Sequence, residues 1–90
     1  MLEIVASNQF KKDLKQAVKR GHKMHLLEEV VDKLASGEVL GDKYRDHRLI
    51  GNYAGFRECH IEPDWLLIYQ IREHELILLL FRTGTHSDLF

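Results

Sequence analysis

Apolar positions along the chain first alternate, then recur at helical spacing, then run almost unbroken. Leu2 to Ala6 alternates weakly over a short span, which predicts a first strand. Beyond it, Phe10, Leu14, Ala17 and Val18 recur at helical spacing, with Lys11, Lys12, Lys15 and Lys19 between them. Ser7 suits the N-cap, because its hydroxyl can accept a free helical N–H. Gly21 suits the left-handed residue that ends such a helix. A second helix follows, with Met24, Leu27, Val31 and Leu34 on one stripe, widened by Leu26 and Val30 and closed by Gly37. The lysine-rich faces read as solvated helix surface.

The second half is strand-like. Val39 to Arg48 reads as a loop with Gly41-Asp42 as its turn, delivering the polar run Tyr44-Arg45-Asp46-His47-Arg48. Gly51 to Gly55 connects a short strand near Leu49 to a longer one through Phe56–Ile61. Glu62-Pro63-Asp64-Trp65 suits a tight turn, since proline fixes its own φ and cannot donate to a ladder. Trp65 to Ile71 is apolar on both alternating faces, the pattern of a central strand covered on both sides. After the polar turn Arg72–Glu75, Leu76 to Arg82 is a second apolar strand, and Thr83–Ser87 breaks the run before Leu89-Phe90. Two helices followed by an antiparallel meander define an α+β fold, with residues 1–90 as a single domain.

Composition narrows the setting. One cysteine among 90 residues excludes an internal disulfide and fits a reducing compartment. The chain lacks both an apolar run of about 20 residues and the blocks of a signal peptide. It is therefore expected in the cytoplasm, without a membrane partner. A net charge of −1 neither requires nor excludes a nucleic acid. Attraction for phosphates has to be local, from Lys43, Arg45, Arg48, Arg57 and Arg82.

Strand period separates Cys59 from His60, so this adjacent pair is a poor nucleophile–base couple and Cys59 reads as core. Glu58 and His60 share the opposite face. Metal-free RNA cleavage needs a base for the 2′-hydroxyl, an acid for the departing 5′-oxygen and a cation for the charge on phosphorus. Histidine suits both proton transfers and arginine the third role. His47, His60, His86, Asp64 and Arg82 supply that inventory, and Trp65 or Phe90 can stack on a base. The bland alternatives stand beside it. Scattered histidines are often surface or structural groups, and Arg82 can simply pair with Asp64 or Glu58. Zinc is disfavoured because no C-x-x-C or H-E-x-x-H spacing occurs. His22, His25 and His74 fall on helix or turn positions and read as solvated.

Several motifs taken together resemble one family. They are Tyr44-Arg45-Asp46-His47, then Leu49 and Gly51, then Gly55-Phe56-Arg57-Glu58-Cys59-His60-Ile61-Glu62-Pro63-Asp64-Trp65-Leu66-Leu67-Ile68-Tyr69. Last comes Arg82-Thr83-Gly84-Thr85-His86-Ser87-Asp88-Leu89-Phe90. The set is similar to YafQ-type toxins of the RelE/ParE superfamily. The match runs almost continuously through the C-terminal half; the N-terminal half agrees in length and helical character. The resemblance implies a microbial-ribonuclease-like fold, two N-terminal helices on an antiparallel sheet. It implies a ribosome-dependent mRNA endonuclease, the toxin of a type II toxin–antitoxin pair. Such a toxin cuts in the ribosomal A site through a 2′,3′-cyclic phosphate, with neither metal nor cofactor. The implied catalytic positions are His47, His60, Asp64, Arg82 and His86. Trp65, Phe90, Arg45 and Arg48 are expected to bind substrate. The implied partners are the 70S ribosome with its mRNA and a DinJ-like ribbon-helix-helix antitoxin, operator DNA being met only through that antitoxin. Two other readings remain: a non-catalytic binding or co-repressor module, and a ribonuclease that ignores ribosomes.

Overall fold

The computed structural model describes residues 1–90. β1 (Glu3–Ala6) leads through Ser7 into α1 (Asn8–Lys19), whose first turn is capped by the Ser7 hydroxyl accepting from the Phe10 N–H at 2.9 Å. Gly21, at φ +80°, turns the chain into α2 (Met24–Ala35). A short 3₁₀ turn at Asp42–Tyr44 precedes β2 (His47–Arg48), and another at Gly51–Tyr53 leads to β3 (Arg57–Glu62). β4 (Trp65–Arg72) and β5 (Ile77–Gly84) follow, then α3 (His86–Leu89).

The sheet order is β1-β5-β4-β3-β2, which puts β4 at the centre as its two apolar faces require. β2 to β5 form the expected antiparallel meander. The added feature is β1, which lies parallel to β5, so the sheet is mixed. A parallel neighbour needs a long crossover, and here the two helices and the meander supply it.

Two apolar clusters fill the two faces. The larger joins Phe10 and Ala17 of α1 and Leu27, Val30, Val31 and Leu34 of α2 to Cys59, Ile61, Trp65, Leu67 and Tyr69 of the sheet. The smaller, on the other face, joins Leu66, Ile68 and Leu89, with Tyr53, Phe56 and Phe81 packed against them. Burial pushes the Cys59 thiol far above its ordinary range, which removes it as a nucleophile. No helix is long and apolar enough to cross a membrane.

Candidate active site

Alternation along β3 sends Cys59 and Ile61 into the helix-side core, so Glu58 and His60 face the other way. β2 pairs with β3 in a register that sets His47 opposite Glu58. The outcome is a shared carboxylate. Glu58 Oε2 lies 3.1 Å from His47 Nε2 and 3.6 Å from His60 Nε2. Glu58 is only 4% exposed, and its other oxygen has no hydrogen-bond partner in the protein. Each ring is steered from its far side as well. His47 Nδ1 meets the Arg45 carbonyl at 2.7 Å, and His60 Nδ1 meets the Pro63 carbonyl at 3.3 Å. A carbonyl only accepts, so both Nδ1 atoms carry the proton in these bonds. That leaves Nε2 of both rings directed at Glu58.

The turn after β3 brings in the second carboxylate. A register shift between His60 and Glu62 opens the strand into Pro63-Asp64, and Asp64 reaches across to α3. Its Oδ1 accepts the backbone N–H of His86 at 3.0 Å and faces the His86 ring Nδ1 at 2.7 Å. The backbone N–H first, and the ring second, hold the Asp64 carboxyl below its usual range. An Nδ1–H committed to Asp64 leaves His86 Nε2 free to exchange a proton with a substrate. The His60 and His86 rings are 5.6 Å apart. His47, Glu58, His60, His86 and Asp64 therefore form one continuous cluster on the sheet face away from α1 and α2.

α3 is held by its own ends. Thr85 and Asp88 form a reciprocal capping box, with Asp88 accepting from the Thr85 N–H at 2.9 Å. Asp88 also pairs with Arg20, the residue that caps the C-terminus of α1, and that side chain first, then the Thr85 backbone, pull its carboxyl well below the usual range.

The other expected site residues divide. Arg82 pairs with neither Asp64 nor Glu58; its guanidinium docks on Asp13 of α1, Nε to Oδ2 at 2.8 Å and Nη2 to Oδ1 at 3.2 Å. By register Arg82 sits opposite Ile68, which sits opposite Glu58, so it ends the same cross-strand row that holds His47. Arg45 lines a groove of about 640 Å³ together with His60, Lys43 and Pro63. Arg48 lies across from Arg57 and lines a separate cleft with Leu49, Phe56 and Gln70, away from the three histidines. Phe90 is 62% exposed, its ring edge-on to Tyr53 at 5.4 Å.

Trp65 does not have the expected exposure. It is 0% exposed, because the first residue of the central strand faces the helix-side core. Its indole is stacked at 4.4 Å on His22, so no base can reach it. His22 is correspondingly not a solvated residue; His25 and His74 are exposed. Glu58 was not among the expected site residues. Its place on the His60 face was readable from strand period, but the β2 register that makes it common to two histidines was not. No group of three or more His, Cys, Asp or Glu side chains is arranged to hold a metal ion.

A mixed sheet backed by two helices, superposing on YafQ toxin structures, is the α+β architecture of RelE-like toxins. The chain belongs to the YafQ family, described as bacterial toxins of type II toxin–antitoxin systems, which matches residues 2–90. It is 40% identical over 89 residues to the mRNA interferase toxin YafQ of Escherichia coli K12, covering 98% of this chain and 95% of that one. A metal-bound toxin from Helicobacter pylori superposes with a TM-score of 0.94 at 51% identity, covering the whole of both chains. The E. coli DinJ–YafQ complex superposes with a TM-score of 0.90 at 40% identity, covering 100% of this chain and 99% of that one.

Proposed function

We propose that this chain is a ribosome-dependent mRNA endonuclease, the toxin partner of a DinJ-like ribbon-helix-helix antitoxin. The E. coli relative is an mRNA interferase toxin, and a DinJ–YafQ complex superposes over this whole chain. The observation that carries the reading is the His86 ring. Asp64 fixes its Nδ1 and leaves Nε2 free, 5.6 Å ring to ring from a second histidine. Two rings this close can reach the attacking and leaving oxygens of one phosphate.

In the proposed reaction, the Nε2 lone pair of His60 or His47 takes the proton of the 2′-hydroxyl, and the Glu58 carboxylate beside it stabilises the imidazolium that results. The 2′-oxygen attacks phosphorus as the bond to the 5′-oxygen breaks. His86, held by Asp64, delivers a proton from Nε2 to that leaving oxygen. The products are a 2′,3′-cyclic phosphate and a 5′-hydroxyl, so atoms and charge balance without a metal. Arg82 stabilises the negative charge on the equatorial oxygens. Arg45, on the wall of the His60 groove, holds the backbone of the neighbouring nucleotide.

Single-turnover cleavage of ribosome-bound mRNA by His47→Gln, His60→Gln, His86→Gln and Glu58→Gln variants tests the scheme. His86→Gln is expected to lose at least a hundredfold, within the usual worth of general acid catalysis. A base variant should flatten the rising limb of the pH–rate profile and His86→Gln the falling limb. Near-normal rates for both His60→Gln and His86→Gln would remove acid–base catalysis by this cluster. Normal growth of bacteria producing folded protein alone would favour the non-catalytic binding module. Efficient cutting of ribosome-free RNA would remove the ribosome requirement.

A further inference from the structure

β1 ends at Ala6, so the last stretch of β5 has no strand on its outer edge. α1 covers that edge instead. The Ser7 hydroxyl donates to the Phe81 carbonyl at 2.7 Å, and Asp13, in the middle of α1, accepts the Thr83 N–H at 3.1 Å. Asp13 also takes the Nε/Nη2 edge of Arg82 in a two-point fork. A guanidinium has five N–H donors. The fork uses one on Nε and one on Nη2, leaving both Nη1 protons and the second Nη2 proton unengaged by Asp13. One Nη1 proton and the second Nη2 proton form the end-on edge, with the Tyr53 hydroxyl beside the guanidinium, and that edge suits two oxygens of a phosphate. Gln9 braces the carboxylate with a hydrogen bond at 3.0 Å, and the Asp13 side chain is nearly buried.

We propose that Asp13 is a positioning residue for cleavage: it fixes one edge of Arg82 so that the other meets the scissile phosphate already oriented. The inference rests on the endonuclease reading above. A free arginine would lose rotamer freedom on gripping the phosphate, whereas the docked one has lost it on folding. The fork also leaves the guanidinium's charge partly balanced in the resting protein. Arg82, Thr83 and Gly84 line a polar recess of about 190 Å³ with Gln16, Arg20 and His22 of α1 and the loop that follows it. The helix face that carries Asp13 and Arg20 thus holds the segment from Arg82 to Asp88 at both ends.

A double-mutant cycle separates this role from plain support of the strand edge. Cleavage of ribosome-bound mRNA is measured for wild type, Asp13→Asn, Asp13→Glu, Arg82→Gln and the Asp13→Asn/Arg82→Gln pair, with a thermal melt of each. Asp13→Asn should cut the rate at saturating ribosomes at least tenfold, while the ribosome concentration giving half-maximal rate moves less than twofold. In the Arg82→Gln background it should cost less than twofold more. Asp13→Glu keeps the charge but displaces the carboxylate, so a similar loss is expected, and it serves if the Asn variant melts below assay temperature. An undiminished rate in either folded Asp13 variant overturns the proposal. Equal losses in both backgrounds also overturn it, assigning Asp13 to Thr83 and the fold alone. Full activity of Arg82→Gln removes the role that Asp13 supports. Wild-type protein inert on ribosomes would overturn the endonuclease reading first, and the positioning role with it.

Discussion

Trp65 and Phe90 carry the same kind of side chain to opposite ends. Trp65 is sealed between the sheet and His22, whereas Phe90 stands on the surface against one edge of Tyr53. Only Phe90 can stack on a base, a contact worth about 1–3 kcal/mol. Deleting Phe90 is expected to lower ribosome-dependent cleavage at least tenfold, about 1.4 kcal/mol of barrier, with little change in melting temperature. Trp65→Ala should do the reverse, costing roughly 3–5 kcal/mol of stability through a large core cavity. A melting temperature that falls as far on loss of Phe90 as on Trp65→Ala would assign Phe90 to packing. Both residues read alike in the sequence because aromatic character does not say which face of a strand is covered. Cys59 was legible, since strand period and its apolar neighbours agree. Glu58 was half legible: its face follows from period, but its second histidine comes from a strand of only two residues, too short for any pattern.

The long elements followed their patterns, with Ser7, Gly21 and Gly37 bounding the helices and β4 central. What escaped was short or depended on distant partners. α3 is four residues long, although its Thr85-His86-Ser87-Asp88 capping box is a readable signal. The parallel placement of β1 has no local signature, because orientation is set by where the crossover ends. The docking of Arg82 on Asp13 spans 69 residues and lies beyond any periodicity. α3 makes a specific demand on Gly84. A Cβ there would lie 2.9 Å from Asp88 Oδ2 and 3.0 Å from Asp88 Cβ. Asp88 cannot swing aside without giving up Arg20 and the Thr85 cap. Gly84→Ala is therefore expected to cost about 1–3 kcal/mol, the usual range for overpacking. It should lower cleavage along with stability, because His86 is the first residue of α3. Unchanged melting and unchanged cleavage would show that α3 tolerates the shift and does not set the His86 position.

Across the whole molecule, one sheet face is covered by the two long helices and the other carries the cluster of titratable side chains. The helices cover the first, and the second bears His47, Glu58, His60, Asp64 and His86 above a small apolar patch. With a net charge of −1, the chain has little uniform attraction for RNA. On the proposed reading, phosphate recognition is concentrated at the site, in Arg82 and in Arg45 beside the His60 groove. The metal-bound relative from Helicobacter pylori makes metal dependence a matter for direct measurement. The deciding experiment is in-vitro translation of a defined mRNA with the purified protein, mapping cut positions with and without a chelator selective for transition metals. Such a chelator leaves the ribosomal magnesium in place. Cuts confined to the A-site codon, dependent on ribosomes, ending in a 2′,3′-cyclic phosphate and unchanged by the chelator, are the predicted result. Intact mRNA, cuts scattered along ribosome-free RNA, or cleavage abolished by the chelator would contradict it.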